Sequence, residues 1–193
     1  MDETYWVMRR DQVESLASPV RQDICDRLAA LGPLSVRDLS EALGRRQTSI
    51  YHHLRQMIAV GLVRASRPGS GRGRPATLYE TVAPRIRMAR SAEIAENRPS
   101  IAKGAKAAAI NAVANFAAAF DSDQWSDRGP GRNQWFFRVV ASPSPERLAH
   151  INRLMNELAE LLWTADAEPG PPISIAWFLS PLDSKRPAED RPD

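Results

Sequence analysis

The chain has 193 residues, 43% of them hydrophobic, with a formal net charge of +3, so one or two domains with a sizeable core are expected. A single cysteine, Cys25, excludes an internal disulfide framework and leaves little for thiolate metal chemistry. The polar, acidic start MDETYWVMRR and the lack of any apolar run of about 18 residues argue against a secretory leader and a membrane span, so a soluble, cytoplasmic protein is expected.

In chain order, residues 10–17 (RDQVESLA) read as a short amphipathic helix. Ser18-Pro19 then supplies a cap and a first-turn proline for a helix over 19–31. Val20, Ile24, Leu28 and Leu31 point inward at helical intervals, and Gly32-Pro33 stops the helix. Cys25, beside Ile24, reads as a small, half-buried apolar residue. Ser35 caps the next helix, with Asp38 three residues on as a weaker capping box. Val36, Leu39, Ala42 and Leu43 are expected in the core, and Gly44 closes the helix in a left-handed conformation.

Another helix starts near Arg46 or Gln47. Two short helices joined by so tight a turn pack steeply, as a helix-turn-helix. Ile50, Leu54, Met57 and Ile58 form its expected buried stripe. Gln47, Thr48, Tyr51, His52 and Arg55 fall on the opposite side, all able to exchange hydrogen bonds. Gly61 terminates the helix. Leu62, Val63 and Ala65 begin a strand whose partner holds Leu78, Tyr79 and Val82. The glycine-rich PGSGRGRPA (68–76) between them is too long for a tight hairpin and reads as a wing.

After Pro84 the character changes. RIRMAR (85–90) alternates like a short strand. Pro99-Ser100 introduces a long alanine-rich helix ending near Phe120, with Ile101, Ala105, Ala108, Ala112, Phe116 and Phe120 along one stripe and Ile110, Val113 and Ala117 beside it. So many small residues let a second helix approach closely. DSDQWSDRGPGRN (121–133) is a loop. QWFFRVVA (134–141) and PISIAWFL (172–179) read as strands. They flank a helix opened by Ser144-Pro145-Glu146, with Leu148, Ile151, Met155, Leu158 and Leu162 on one face and Leu154 and Leu161 widening it. The expected fold class is therefore α+β. An N-terminal winged helix-turn-helix domain (1–83) precedes a smaller C-terminal α+β region with the long alanine-rich helix (84–181), and a disordered tail (182–193) follows.

Charge singles out one unit. Between Glu41 and Glu80 there is no acidic residue, while Arg45, Arg46, Arg55, Arg64, Arg67, Arg72 and Arg74 all fall in that span. Residues 1–83 hold 12 Arg against 9 Asp and Glu; residues 84–193 hold 14 Lys and Arg against 14 Asp and Glu. The whole basic excess thus sits in the first half, as a surface facing phosphates requires. Double-stranded DNA is the expected partner. The major groove admits one helix, and Gln47 suits a bidentate contact with adenine. Arg55 suits a phosphate, and Arg45 and Arg46 flank a helix N-terminus whose amides also favour phosphate. Arg67 lies at the base of the wing. The slim tip Arg72-Gly73-Arg74-Pro75 suits a narrow minor groove and resembles the core of AT-hook peptides; a hairpin touching only phosphates is the alternative.

Other motifs carry less. The Gly69-Ser70-Gly71-Arg72-Gly73 loop leads into Pro75 and a strand, not into the helix that a nucleotide-binding loop needs. His52 and His53 are adjacent on a helix and point about 100° apart, and His150 has no neighbouring ligand candidates, so no metal is expected. No catalytic motif is present, so neither an enzyme nor a cofactor is expected.

The stretch from SPVRQDICDRLAALGPLSVRDLSEALGRRQTSIYHHLRQMIAVGLV to GRPATLYE resembles the winged-helix regulators of the ArsR/MarR type, nearest the ArsR side, over residues 10–83. The resemblance implies that Gln47, Thr48, Tyr51 and His52 lie on a recognition helix, and that the protein is a homodimeric, nucleoid-associated repressor or activator. Metal-sensing members of the family place cysteines in the helix that here reads VRDLSEALG; none is present, so the metal-sensor role does not carry over. Arg46 also replaces the usual small capping residue. The half after Pro84 resembles the helix–strand–helix–strand extension of some larger members. Two alternatives stay open. One is a sensor of a small apolar effector, with Trp135, Phe137, Trp163 and Trp177 as pocket lining. The other is a winged-helix protein-interaction module without DNA binding.

Overall fold

The computed structural model describes residues 4–66, 76–123, 125–163 and 170–182. The chain opens with a short strand β1 (Thr4–Trp6), then α1 (Arg10–Leu16) and α2 (Pro19–Leu31). A two-residue strand β2 (Leu34–Ser35) leads into α3 (Val36–Leu43) and α4 (Gln47–Ala59). The wing strands are β3 (Val63–Ser66) and β4 (Leu78–Thr81), followed by β5 (Arg85–Arg87), two short 3-10 turns, α5 (Arg98–Ala119) and α6 (Pro145–Trp163). The architecture is α+β: a winged helix-turn-helix followed by a C-terminal region with a long alanine-rich helix.

Two small sheets frame the helices. One is antiparallel in the order β2-β4-β3, with Val63 opposite Thr81 and Ala65 opposite Tyr79. Strand periodicity turns Tyr79 and Thr81 inward and Glu80 outward, where it meets Arg64 across the ladder at 2.9 Å. The other sheet pairs β1 with β5 in parallel, Tyr5 opposite Ile86, and closes the start of the chain onto the segment after the wing. Ser91 Oγ then donates to the Val7 carbonyl, and Asn97 Nδ2 to that of Met8 at 3.0 Å.

One core lies between α1, α2, α3, α4 and the wing sheet. Ile24, Leu28, Leu39, Ile50, Leu54, Met57 and Leu62 are among its large members, each nearly inaccessible to solvent. Gly104 brings the first half of α5 against this unit: the nearest atoms are Gln22 Nε2, the Leu16 carbonyl and the Met88 methyl. A methyl there would sit 3.5 Å from Gln22 Nε2, in ordinary van der Waals contact, beside the 2.9 Å bond from Gln22 Nε2 to the Gly104 carbonyl. Asn111 Nδ2 adds a bond to the Pro19 carbonyl at 2.9 Å.

The structure corrects several expectations. Ser18 makes no side-chain cap; Pro19 alone opens α2. Leu31, Ala42 and Ile58 are exposed. The α4 stripe is the narrow i, i+4, i+7 set of Ile50, Leu54 and Met57, and Ile58, one residue further, is turned about 100° off it. Residues 134–141 and 172–179 form no strand among the described residues. Their composition suits the pleat, but a strand exists only where a second edge completes its ladder. The leucine face of α6 is likewise open, with no buried residue along the helix. The second half of α5 is also open, with Val113 69% exposed. Arg67, Arg72, Arg74 and the expected tail from 183 lie outside the described residues.

Candidate nucleic-acid interface

The geometry of the site starts at the turn between α3 and α4. A reciprocal capping box opens α3: Ser35 N donates to Asp38 Oδ2 at 2.9 Å, and Asp38 N to Ser35 Oγ at 3.2 Å. The Ser35 hydroxyl, donating to Asp38 Oδ2 at 2.7 Å, and then the Ser35 amide hold the Asp38 carboxyl below the usual carboxylate range. Gly44 ends the helix at φ 59°, a left-handed conformation that costs a glycine nothing. Ser40 Oγ then donates to the Arg45 carbonyl and fixes the path of the turn.

Arg46 is the residue before α4, extended at φ −62° and ψ 137°, and its side chain caps nothing. The first-turn amides of α4 are therefore not taken up by a capping side chain, and the positive end of the helix faces outward. Gly44, Arg45, Arg46, Thr48, Ser49 and His52 line an open concavity of about 590 Å³ at this end.

Along α4 the two faces separate cleanly. Ile50, Leu54 and Met57 are buried, while Gln47, Thr48, Tyr51, His52 and Arg55 are exposed. The structure thus brings Arg45, Arg46, Gln47, Thr48, Tyr51, His52 and Arg55 onto one helix end and one face. Among the described residues Arg45, Arg46 and Arg55 form no ion pair. Arg64, in the same acid-free span, is the exception, being held by Glu80. Arg45 also feels Asp23 of α2. Burial raises the Asp23 pKa, and Arg27 and Arg45 pull it back down.

Sequence reasoning missed the groups that hold α4 from behind. Val60, at its C-terminus, offers its carbonyl to Arg9 Nη2 at 3.0 Å and Gln12 Nε2 at 2.9 Å; a cation is well placed at that negative helix end. Arg21 of α2 donates to the Ser15 carbonyl and, through Nη1, to Gln56 Oε1 at 2.7 Å. Gln56 Nε2 in turn lies 3.1 Å from His52 Nε2. The i, i+4 spacing of His52 and Gln56 was a usable signal. Arg21, 35 residues away in sequence, gave none. His53 turns inward beside this chain of bonds. Its Nδ1 is buried without a hydrogen-bond partner among the described residues. Burial, then the charges of Arg21, His52 and Arg45, lower its pKa. In the wing, burial of Tyr79 raises its phenol pKa, and its electrostatic neighbours are Tyr51 and Arg55 of α4.

The four aromatics proposed as effector lining go to different places. Trp135 lies under Arg132, 3.6 Å from ring centroid to guanidinium. Trp163 lies under Arg87 at 4.0 Å. Phe137 is 80% exposed, and Trp177 is exposed too. The concavity on α6, lined by Asn156, Glu157, Glu160 and Leu161, includes none of them. Among the described residues no group of three or more His, Cys, Asp and Glu is placed to hold a metal, and no helix is long and apolar enough to cross a membrane.

Comparison with known proteins agrees with this geometry. A family model described as a helix-turn-helix domain matches residues 16–65, a span that takes in α2, α3 and α4 and runs into β3. The chain is also 41% identical over 69 residues to the HTH-type transcriptional regulator NmtR of Mycobacterium tuberculosis. That match covers 36% of this chain and 55% of the relative, so the chain spans about half the length of the curated protein it matches.

Proposed function

We propose that this chain is a DNA-binding transcriptional regulator that acts as a homodimer. One observation carries the reading: α4 presents an uncapped N-terminus and an exposed hydrogen-bonding face on a unit cleared of carboxylates between Glu41 and Glu80. In this reading α4 enters the major groove. Gln47, Thr48, Tyr51 and His52 meet base edges, and Arg45, Arg46 and Arg55 meet phosphates. Arg67, Arg72 and Arg74 contribute from the wing to the adjacent backbone or minor groove. The match to a transcriptional regulator over the helix-turn-helix region supports the same reading.

Two-fold symmetry implies an operator with two half-sites about one helical turn apart. The open second half of α5, where Ile110 and Val113 are exposed, is the proposed seam between subunits. Residues 4–16 lend less to such a seam, because Val7, Val13 and Leu16 lie in the chain's own core.

Selection of bound sequences from random DNA tests the proposal. The expected result is a palindromic consensus. Replacing Gln47 with Ala should relax one position of it by about 1–3 kcal/mol. Arg46→Ala should weaken all sequences alike and lower the salt slope by roughly one. The Arg72→Ala, Arg74→Ala pair should do the same for the wing. Enrichment of no sequence, together with a salt slope that none of these changes alters, would overturn the reading.

A further inference from the structure

From Trp125 to Leu182 the described residues include 18 large apolar side chains, each at least a third exposed. At roughly 150–250 Å² per large side chain, they offer water on the order of 1,800 Å². This surface has an internal pattern. Along 134–141, Trp135, Phe137 and Val139 alternate with Phe136, Arg138 and Val140. Along 172–179, Ile173, Ile175, Trp177 and Leu179 alternate with Ser174, Ala176 and Phe178. Each segment thus has one wholly apolar side and one mixed side, as a strand covered on one face requires. Between them, α6 carries a leucine face that is largely open: Ile151 and Met155 are half-buried, but Leu154, Leu158, Leu161 and Leu162 are all exposed. Among the described residues, 135–143 and 171–182 make no backbone hydrogen bond to another segment.

We propose that residues 134–163 and 170–182 interlock with the same residues of a second copy of this chain. Segments 134–141 and 172–179 of the two copies form one shared sheet, and the two α6 helices cover its apolar face. One chain supplies two strands and one helix, and an isolated two-stranded unit is marginal in water. Two chains supply four strands and two helices, enough for a two-layer domain with its own core. The same open segments and helix face of both copies meet across a two-fold axis, which is an isologous contact. Charge opposes it little: residues 134–182 hold Arg138, Arg147 and Arg153 against Glu146, Glu157, Glu160, Asp166 and Glu168, a net of −2 per copy. Two copies hold at most about 3,600 Å² of such area between them; covering one side of each segment with the α6 faces buries roughly half of it, within the about 1,200–2,000 Å² of a stable interface. The last turn of α6 touches the segment after the wing, where Glu160 accepts from Arg85 at 3.0 Å and from Arg87 at 3.1 Å.

This inference rests on the two-fold reading above and gives it an interface beyond α5. The test uses the full chain. Hydrogen exchange read by mass spectrometry should show 134–141 and 172–179 protected at tens of micromolar, with the protection lost on dilution to the nanomolar range. Sedimentation should show that Phe137→Asp with Ile175→Asp weakens self-association at least 100-fold, while amide protection of α4 stays as in the parent. Protection that survives dilution would mean pairing within one chain and would overturn the proposal. Absence of protection at every concentration, or an undiminished dimer in the double variant, would overturn it too. A dimer that binds its operator with unprotected segments would sink the interlock and leave the regulator reading standing. An interlocked dimer that selects no DNA would do the reverse.

Discussion

Leu54 of α4 and Leu158 of α6 are the same residue, each on the apolar face of an amphipathic helix, yet Leu54 is 1% exposed and Leu158 is 41% exposed. The difference lies in what else the chain supplies. The stripe on α4 meets α1, α2, α3 and the wing sheet, all within the first 82 residues. On α6 only Ile151 and Met155 of the stripe are half-buried, and the helix otherwise meets its own chain through the ion pairs of Glu160 and the ring of Trp163. An amphipathic pattern is therefore half of a contact, and it does not say whether the other half is in the same molecule.

The largest expected effect tests that contrast directly. Leu54→Ala removes a fully buried side chain from a close-packed core and should cost about 2–5 kcal/mol. Leu158→Ala should cost dilute protein under about 1 kcal/mol, since little packing is lost there within one chain. Urea unfolding followed by circular dichroism at low concentration measures both. Equal losses would mean that α6 is packed within its own chain after all.

The same contrast explains what could be read from the sequence. The helix-turn-helix was legible because its signals are local and agree with one another. Ser35 with Asp38 marks a start, Gly44 a stop, and Ile50, Leu54 and Met57 a face. The exposed set from Gln47 to Arg55 follows from that face by geometry alone. Strand β1 was not legible, because three residues such as Thr4–Trp6 become a strand only through Arg85–Arg87, some 80 positions away. Arg9, Gln12 and Arg21 were missed for the same reason: each acts on α4 across 35 or more residues. Residues 134–141 and 172–179 failed in the opposite sense. Their composition and alternation were read as strands, but propensity reports fitness for a sheet, not the presence of one.

Two serines at helix starts sharpen the comparison at a smaller scale. Ser35 caps α3 inside the folded unit, and Ser144 Oγ accepts from Arg147 N at 3.3 Å at the start of α6. Ser35→Ala should lower global stability by about 1 kcal/mol. Ser144→Ala should leave the global midpoint unchanged and speed amide exchange only in the first turn of α6. The Ser35 box also predicts a pH dependence. Asp38 is held below its unfolded pKa, so its contribution is complete above that value and is lost as pH falls through the lower, folded value. In Ser35→Ala that part of the acid limb should flatten.

His53 gives a subtler sign test on the same unit. Burial and nearby cations depress its pKa below the ordinary 6.5, so the folded state prefers the neutral ring. The unfolded chain then binds the proton more readily. The stabilising contribution is complete above about 6.5 and declines as pH drops below it, towards the depressed folded value. Unfolding midpoints of the parent and His53→Gln, compared from pH 8 to pH 5, should converge towards the acid end. A parent that gains stability on acidification through that range would mean that the ring is charged in the fold.

The smallest effect belongs to the link between the two regions. Glu160 is more than half exposed and bridges Arg85 and Arg87, which are themselves less than a third exposed. A pair reaching into solvent is worth about 0–1 kcal/mol, and salt screens it further. Arg87 does not depend on the carboxylate alone, because its guanidinium also lies over Trp163 at 4.0 Å and Trp6 at 5.8 Å. Glu160→Ala should therefore leave the unfolding midpoint of the folded unit within error, while amides in the last turn of α6 exchange faster in dilute protein. Trp163→Ala should loosen that turn more than Glu160→Ala does, because the ring lies against both arginines. If Glu160→Ala instead lowered stability as much as Ser35→Ala, the two regions would share a cooperative core, and the contrast between Leu54 and Leu158 would have to be drawn elsewhere.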